Sequence, residues 1–186
     1  MAVGDSILCW TAHPVWKSLF EVSKFVRTLN LIKTHCNVEW LTPSQSRALA
    51  ALKDALRVPG TVNLCGPAGV GKTFLAWILA GELGYTYFPH LKHFMQAEEA
   101  TTPGVIIDNG QPNRQSHRNT LKALQLRGVA RAVLITRELV HDYTRYVGLS
   151  LLPEDRAKVR RNLASVGHLT RDAEVPSLWY LVNPHL

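Results

Sequence analysis

The chain is poor in cysteine, and the three it has, Cys9, Cys36 and Cys65, stand far apart with no Cys-x-x-Cys pair. That spacing excludes a disulfide framework and a cysteine-held metal, and leaves reduced, buried thiols. No apolar run approaches the roughly 20 residues that a membrane span requires. Met1-Ala2-Val3-Gly4-Asp5 lacks the positive segment that opens a secretory signal. Internal repeats and low-complexity tracts are missing as well. The expectation from these absences is an intracellular, cytoplasmic protein without membrane attachment. Acid is the scarcer charge, with 14 Asp and Glu against 21 Lys and Arg and a net charge of +7. The excess favours an anionic partner, of which nucleic acid is the commonest. At 186 residues, 46% hydrophobic and 19% charged, the chain is long enough for one buried core and a small appendage.

What is present is concentrated in Gly66-Pro67-Ala68-Gly69-Val70-Gly71-Lys72-Thr73. A short β-leaning run, Thr61-Val62-Asn63-Leu64-Cys65, precedes it, and a helical run from Phe74 to Ala80 follows. Strand, glycine-rich turn and helix are the context of a P-loop, or Walker A motif. Glycines allow successive backbone N–H groups to converge on one anion, and the helix start adds unpaired N–H groups and the positive dipole end. Lys72 reaches toward the β- and γ-phosphates, and the Thr73 hydroxyl can ligate Mg²⁺. The eight residues together predict a site for ATP with Mg²⁺.

Upstream, residues 13–35 place Val15, Leu19, Val22, Val26 and Leu29 at helical spacing, with Trp16, Phe20 and Phe25 widening the stripe. This is a helix packed on the domain body or a docking helix for a protein partner. A second helix is marked by Thr42 as N-cap, Pro43 as first residue and Gln45 as the capping-box partner. Its seam is Leu49, Leu52 and Leu56, and Pro59-Gly60 stops it. Downstream, strands are expected at Tyr85–Phe88, Val105–Asp108, Ala132–Thr136 and Tyr146–Leu151. Helices are expected at His90–Ala100, at 116–127 with Leu121 and Leu124 inward, and from Pro153 to about Ala164. Alternation of strands and helices predicts an α/β P-loop NTPase core, a parallel sheet flanked by helices. The predicted division is an N-terminal helical extension (1–40), the core (41–151) and an abbreviated helical lid with tail (152–186).

Asp108, ending a buried strand, is the expected Walker B acid, holding a Mg²⁺ water. Asn109 follows it, where many such ATPases have a glutamate that polarises the attacking water. An amide orients water but does not accept its proton, so weak or partner-stimulated hydrolysis is expected.

The order of capped helix, Walker A, Asp108 strand, Thr136 strand and Arg145 before a further strand resembles an AAA+ ATPase. It looks closest to the small clamp-loader, initiator and transposition-helper types, over roughly residues 38–165. The resemblance implies Thr136 as sensor 1 on the γ-phosphate side. It also implies Arg145, with Arg137 as competitor, as an arginine reaching a neighbouring subunit's nucleotide. The implied catalytic set is Lys72, Asp108, Asn109, Thr136 and Arg145, with Thr73 and Asp108 at the metal. A homo-oligomer, ring or filament, acting on DNA follows by the same resemblance.

Two basic clusters admit either a solvated face or phosphate binding: Arg114, Arg118 and Lys122 (with His117), and Lys158, Arg160 and Arg161. Lys92 joins them as a nucleic-acid candidate. Arg156 shares a helical face with Val159 and Leu163 and is either a snorkelling stem or a phosphate contact of the lid. Two other functions fit the same residues. One is a small-molecule P-loop kinase with Arg156, Arg160 and Arg161 as lid arginines. The other is a nucleotide-binding structural subunit with little or no turnover.

Overall fold

The computed structural model describes residues 26–97, 102–111, 113–140, 145–168, 170 and 175–182. Most of the N-terminal stripe, including Val15, Leu19 and Val22, lies outside them, as do Cys9, Glu98 and Glu99. Residues 26–34 are helical (α1) and precede a 3-10 turn at Val38–Trp40. Helices α2 (Pro43–Ala55), α3 (Lys72–Leu83), α4 (Leu91–Gln96), α5 (Arg114–Leu126), α6 (Pro153–Ser165) and α7 (Trp179–Val182) follow in chain order. Between them run β1 (Gly60–Cys65), β2 (Thr86–Phe88), β3 (Val105–Ile107), β4 (Arg131–Thr136) and β5 (Tyr146–Gly148).

The five strands form one parallel sheet in the order β2-β3-β4-β1-β5. Parallel strands need crossovers, and the crossover helices cover both faces, so the strands are buried on both sides. Alternation along each strand divides the apolar residues between two cores. Val62 and Leu64 of β1, Ile106 of β3, and Val133 and Ile135 of β4 pack with α2 and α3. Val105 and Ile107, with Ala132 and Leu134, pack on the opposite face with Phe94 of α4 and Leu124 of α5. A third cluster joins Leu29 and Ile32 of α1 to Leu163 of α6 and to Leu181 and Val182 of α7. The N-terminal helix and the C-terminal segment therefore share one small core beside the sheet.

Helix α2 is fixed at both ends. At its start Thr42 Oγ1 accepts from Gln45 N at 3.3 Å and Thr42 N donates to Gln45 Oε1 at 3.0 Å, the capping box expected from the sequence. Asp155, 1% exposed, adds a second cap. One carboxylate oxygen accepts from Ser44 N at 2.9 Å and the other from Leu152 N at 2.7 Å, so a single side chain ties the first turns of α2 and α6 together. At the far end two arginines gather the carbonyls that the helix leaves unpaired. Arg145 donates to Ala55 O (2.6 Å), Val58 O (3.0 Å) and Pro59 O (2.9 Å), and Arg131 to Leu56 O (2.8 Å).

Several expectations shift. The fifth strand ends at Gly148 rather than Leu151. Helix α5 begins at Arg114, because the Asn113 side chain accepts from Ser116 N at 2.8 Å and caps it there. Leu121 faces outward, 37% exposed, while His117, Thr120, Ala123 and Leu124 form the buried stripe. Helix α4 stops at Gln96. Cys65 is buried as expected, whereas Cys36 is only half-buried. Among the described residues no helix is long and apolar enough to cross a membrane.

Candidate nucleotide site

The site lies at the C-terminal ends of the strands, where β1 runs into the glycine-rich loop and α3 begins at Lys72. Gly71 is the N-cap of α3 with φ 88°, and Gly69 sits at φ 76°, both in the left-handed region that glycine adopts without penalty. Neighbours forbid a side chain at both positions as well. A methyl at Gly71 would strike the Gln45 amide, and one at Gly69 would strike Ser177 and Trp179. Gln45 Nε2 donates to Gly71 O at 3.1 Å, so the capping residue of α2 also braces the loop. The C-terminal segment braces it from the other side, with Leu178 N donating to Gly69 O at 2.9 Å.

Lys72 Nζ donates to Gly66 O at 2.5 Å and to Pro67 O at 2.7 Å, which holds the ammonium at the loop. Burial lowers its pKa below the ordinary lysine value; Asp108 opposes that shift and Arg137 adds to it. Arg137 is exposed and follows Thr136 directly.

Asp108 is 4% exposed. Strand β3 does not pair with β1, since β4 lies between them. The acid still reaches the loop helix, and Thr73 Oγ1 donates to Asp108 Oδ2 at 2.7 Å. Tyr87 OH donates to the same oxygen at 2.8 Å, and Asn109 N donates to Asp108 Oδ1 at 2.6 Å. Burial first, then the Asp108 charge and the hydrogen bond to it, raise the Tyr87 pKa well above the ordinary phenol value. Tyr87 is thus a neutral donor.

The donor set suits Mg²⁺. The Thr73 hydroxyl gives its hydrogen to Asp108 and keeps its lone pairs for a cation, and both groups are hard oxygen ligands. Thr73 and Asp108 would hold the ion, which would supply positive charge to offset that of bound phosphates.

Asn109 adopts φ 53°, a left-handed conformation that Asn tolerates better than most side chains. Its Nδ2 donates to Pro89 O at 3.0 Å, tying the amide to the end of β2. Thr136, 4% exposed, gives its hydroxyl hydrogen to Glu138 O at 2.6 Å and accepts from Asn63 Nδ2 at 2.9 Å. A pocket beside these ends is lined by Asn109, His117, Thr136 and Val140.

The structure therefore gathers Lys72, Thr73, Asp108, Asn109 and Thr136 at one end of the sheet. It places the Arg145 guanidinium at the other, on the last turn of α2. Arg156 Nε donates to Val175 O at 2.9 Å and so holds the C-terminal segment. Lys92, Arg114, Arg118, Lys122 and Arg161 are exposed, while Lys158 and Arg160 are half-buried. Sequence reasoning passed over Tyr87, Asn63 and Ser177–Trp179. No local signal marks them, because each acts through a neighbour distant in sequence.

No family model matches the chain. One curated relative, a chloroplast protein of Arabidopsis thaliana described as a probable inactive ATP-dependent zinc metalloprotease (FTSHI 2), is 35% identical over 65 residues. The match covers 35% of this chain and 7% of that protein. Among solved structures, DnaA of Aquifex aeolicus bound to AMPPCP is 13% identical, with a TM-score of 0.46 over 71% of this chain and 55% of that one. A DNA replication initiation factor is 14% identical, with a TM-score of 0.49 over 70% and 54%. A replication initiator DnaA bound to AMPPCP and single-stranded DNA is 14% identical, with a TM-score of 0.41 over 66% and 52%. The chain thus spans about half the length of these structures. Independently of those likenesses, its own five-stranded parallel sheet flanked by helices, the glycine loop between β1 and α3, and Asp108 against Thr73 give the chain an α/β P-loop NTPase fold.

Proposed function

We propose that the chain binds ATP with Mg²⁺ at Gly66–Thr73 and Asp108 and works as a nucleotide switch acting with DNA. The observation that carries this is the 2.7 Å contact between Thr73 and Asp108. It brings the metal ligand of the loop and the acid of a non-adjacent strand to one point, which a glycine turn of purely structural purpose does not require. Lys72 neutralises phosphate charge, the loop N–H groups orient the nucleotide, and Asp108 fixes the Thr73 hydroxyl.

The DNA reading rests on the exposed Lys92, Arg114, Arg118 and Lys122, carried by α4 and α5. Both helices follow strands that end near the site, so a phosphate backbone held there lies close to the nucleotide. Self-assembly into a ring or filament and a cytoplasmic location complete the proposal. Arg145 or Arg137 is the arginine offered to the neighbouring subunit's nucleotide. Nucleotide binding with little or no turnover is a second reading. The Asn109 tether to Pro89 favours it, since that amide is turned toward β2 and brings no base to the site.

Light scattering tests the proposal. Particle mass is measured with and without ATP and Mg²⁺, in the presence and absence of DNA. Growth that needs both nucleotide and DNA supports the switch. A monomer under every condition discards assembly.

A further inference from the structure

Asp108 carries more donors than a metal site of this kind needs from its protein. An ionised carboxylate offers about four lone-pair positions. Oδ2 accepts from both Thr73 (2.7 Å) and Tyr87 (2.8 Å), and Oδ1 accepts from Asn109 N (2.6 Å). Among the described residues, one of the four positions, on Oδ1, takes none of these hydrogen bonds. Asn109 N and Tyr87 OH hold opposite oxygens, so together they fix the rotation of the carboxylate about its Cβ–Cγ bond. That rotation decides where the Thr73 hydrogen goes, and hence which way the Thr73 lone pairs face.

Tyr87 is itself held. Its ring meets the Trp77 indole edge-on, with centroids 6.3 Å apart and planes at 74°. Lys33 of α1 lies over that indole at 5.6 Å. The phenol is half-buried on the apolar face of the sheet that packs with α2 and α3.

We infer that Tyr87 is a positioning residue for Mg²⁺: its hydroxyl orients Asp108 so that Thr73 and the free Oδ1 position face the ion together. The inference rests on the nucleotide-site reading above. It assigns Tyr87 no contact with nucleotide or metal.

The test separates Mg²⁺-dependent from Mg²⁺-independent binding. ATP affinity of the full chain and of Tyr87→Phe is measured by calorimetry in excess Mg²⁺ and in EDTA. Phe keeps the ring against Trp77 and removes only the hydroxyl. The strengthening of ATP affinity by Mg²⁺ should shrink by about tenfold in the variant, the scale of one hydrogen bond to a charged group, with the EDTA affinity unchanged. Equal losses in both media mean a merely structural residue and overturn the inference. Unchanged Mg²⁺ dependence overturns it too. A parent chain that binds ATP in neither medium overturns the nucleotide site itself, a different failure. A second measurement needs no variant: the ¹³Cζ resonance of labelled Tyr87 should move when Mg²⁺ is added to the ATP complex. A resonance that stays in place overturns the inference.

Discussion

The Asn63 side chain in β1, fully buried, donates from Nδ2 to Thr136 Oγ1 on the neighbouring strand at 2.9 Å and to Leu134 O at 3.0 Å. Its Oδ1 accepts from Val140 N. One buried amide of β1 thus fixes the residue expected to sense the γ-phosphate. Asn63→Ala leaves these partners without it and should cost about 1–3 kcal/mol, the usual penalty for unsatisfied buried polar groups. Urea unfolding measures the loss, and an unchanged midpoint would remove Asn63 from the account.

Lys72→Ala should weaken ATP binding by about 100-fold or more, through the loss of charge-assisted phosphate contacts. Asp108→Asn should abolish most of the Mg²⁺ dependence while sparing part of the affinity for metal-free nucleotide. Calorimetric titration with and without Mg²⁺ checks both. Parent-like affinity in Lys72→Ala would refute the P-loop assignment.

Arg145 and Arg131 make a matched pair. Both donate to carbonyls at the end of α2, so replacing either with alanine should destabilise the chain by about 1–2 kcal/mol. An added role in trans belongs to Arg145 alone. Arg145→Ala should then lose ATP-dependent assembly where Arg131→Ala retains it, as seen by light scattering. Identical assembly in the two variants would leave Arg145 a helix cap and nothing more.

Asp155 makes a pH prediction. Burial acts to raise its pKa, but the hydrogen bonds from Ser44 and Leu152 N–H outweigh it and leave the carboxyl below the usual aspartate value. A pKa depressed in the folded chain stabilises fully above the unfolded value, about 4. That contribution disappears as pH falls through the folded value. Asp155→Asn should therefore lower the urea midpoint at pH 7, and the gap to the parent should narrow below pH 4. A gap independent of pH would contradict the assignment.

Gly69→Ala meets two obstacles at once, a positive φ of 76° and the side chains of Ser177 and Trp179. The expected result is loss of ATP affinity together with release of residues 175–182, seen as faster proteolysis of that segment. Loss of affinity with the segment still protected would show that the two are independent.

The capped start of α2, the loop and the run ending at Asp108 were all legible, because each is written in contiguous residues whose chemistry is local. The orientation of Leu121 was not. Its spacing with Leu124 fits two faces of the same helix, and the cap at Asn113 together with packing on β3 and β4 chose the other. The tether of Asn109 depends on Pro89, 20 residues away, and the capping by Arg145 on a helix end 90 residues upstream. Position in the chain named these residues as candidates but did not say where their polar atoms would go. Tyr87 looked like an ordinary strand aromatic until the sheet order placed its hydroxyl on Asp108.

Helix α2 is 13 residues long, roughly 20 Å at 1.5 Å per residue. One end is clamped by Arg145, and the other touches the loop through Gln45 and Gly71. A helix held so at both ends is a stiff rod spanning the sheet. In the proposed assembly, a neighbour that drew Arg145 off its carbonyls would loosen the rod's anchor, and the displacement would arrive at Gly71, the residue from which Lys72 and Thr73 set out. Subunit contact and phosphate grip would then be two ends of one mechanical part.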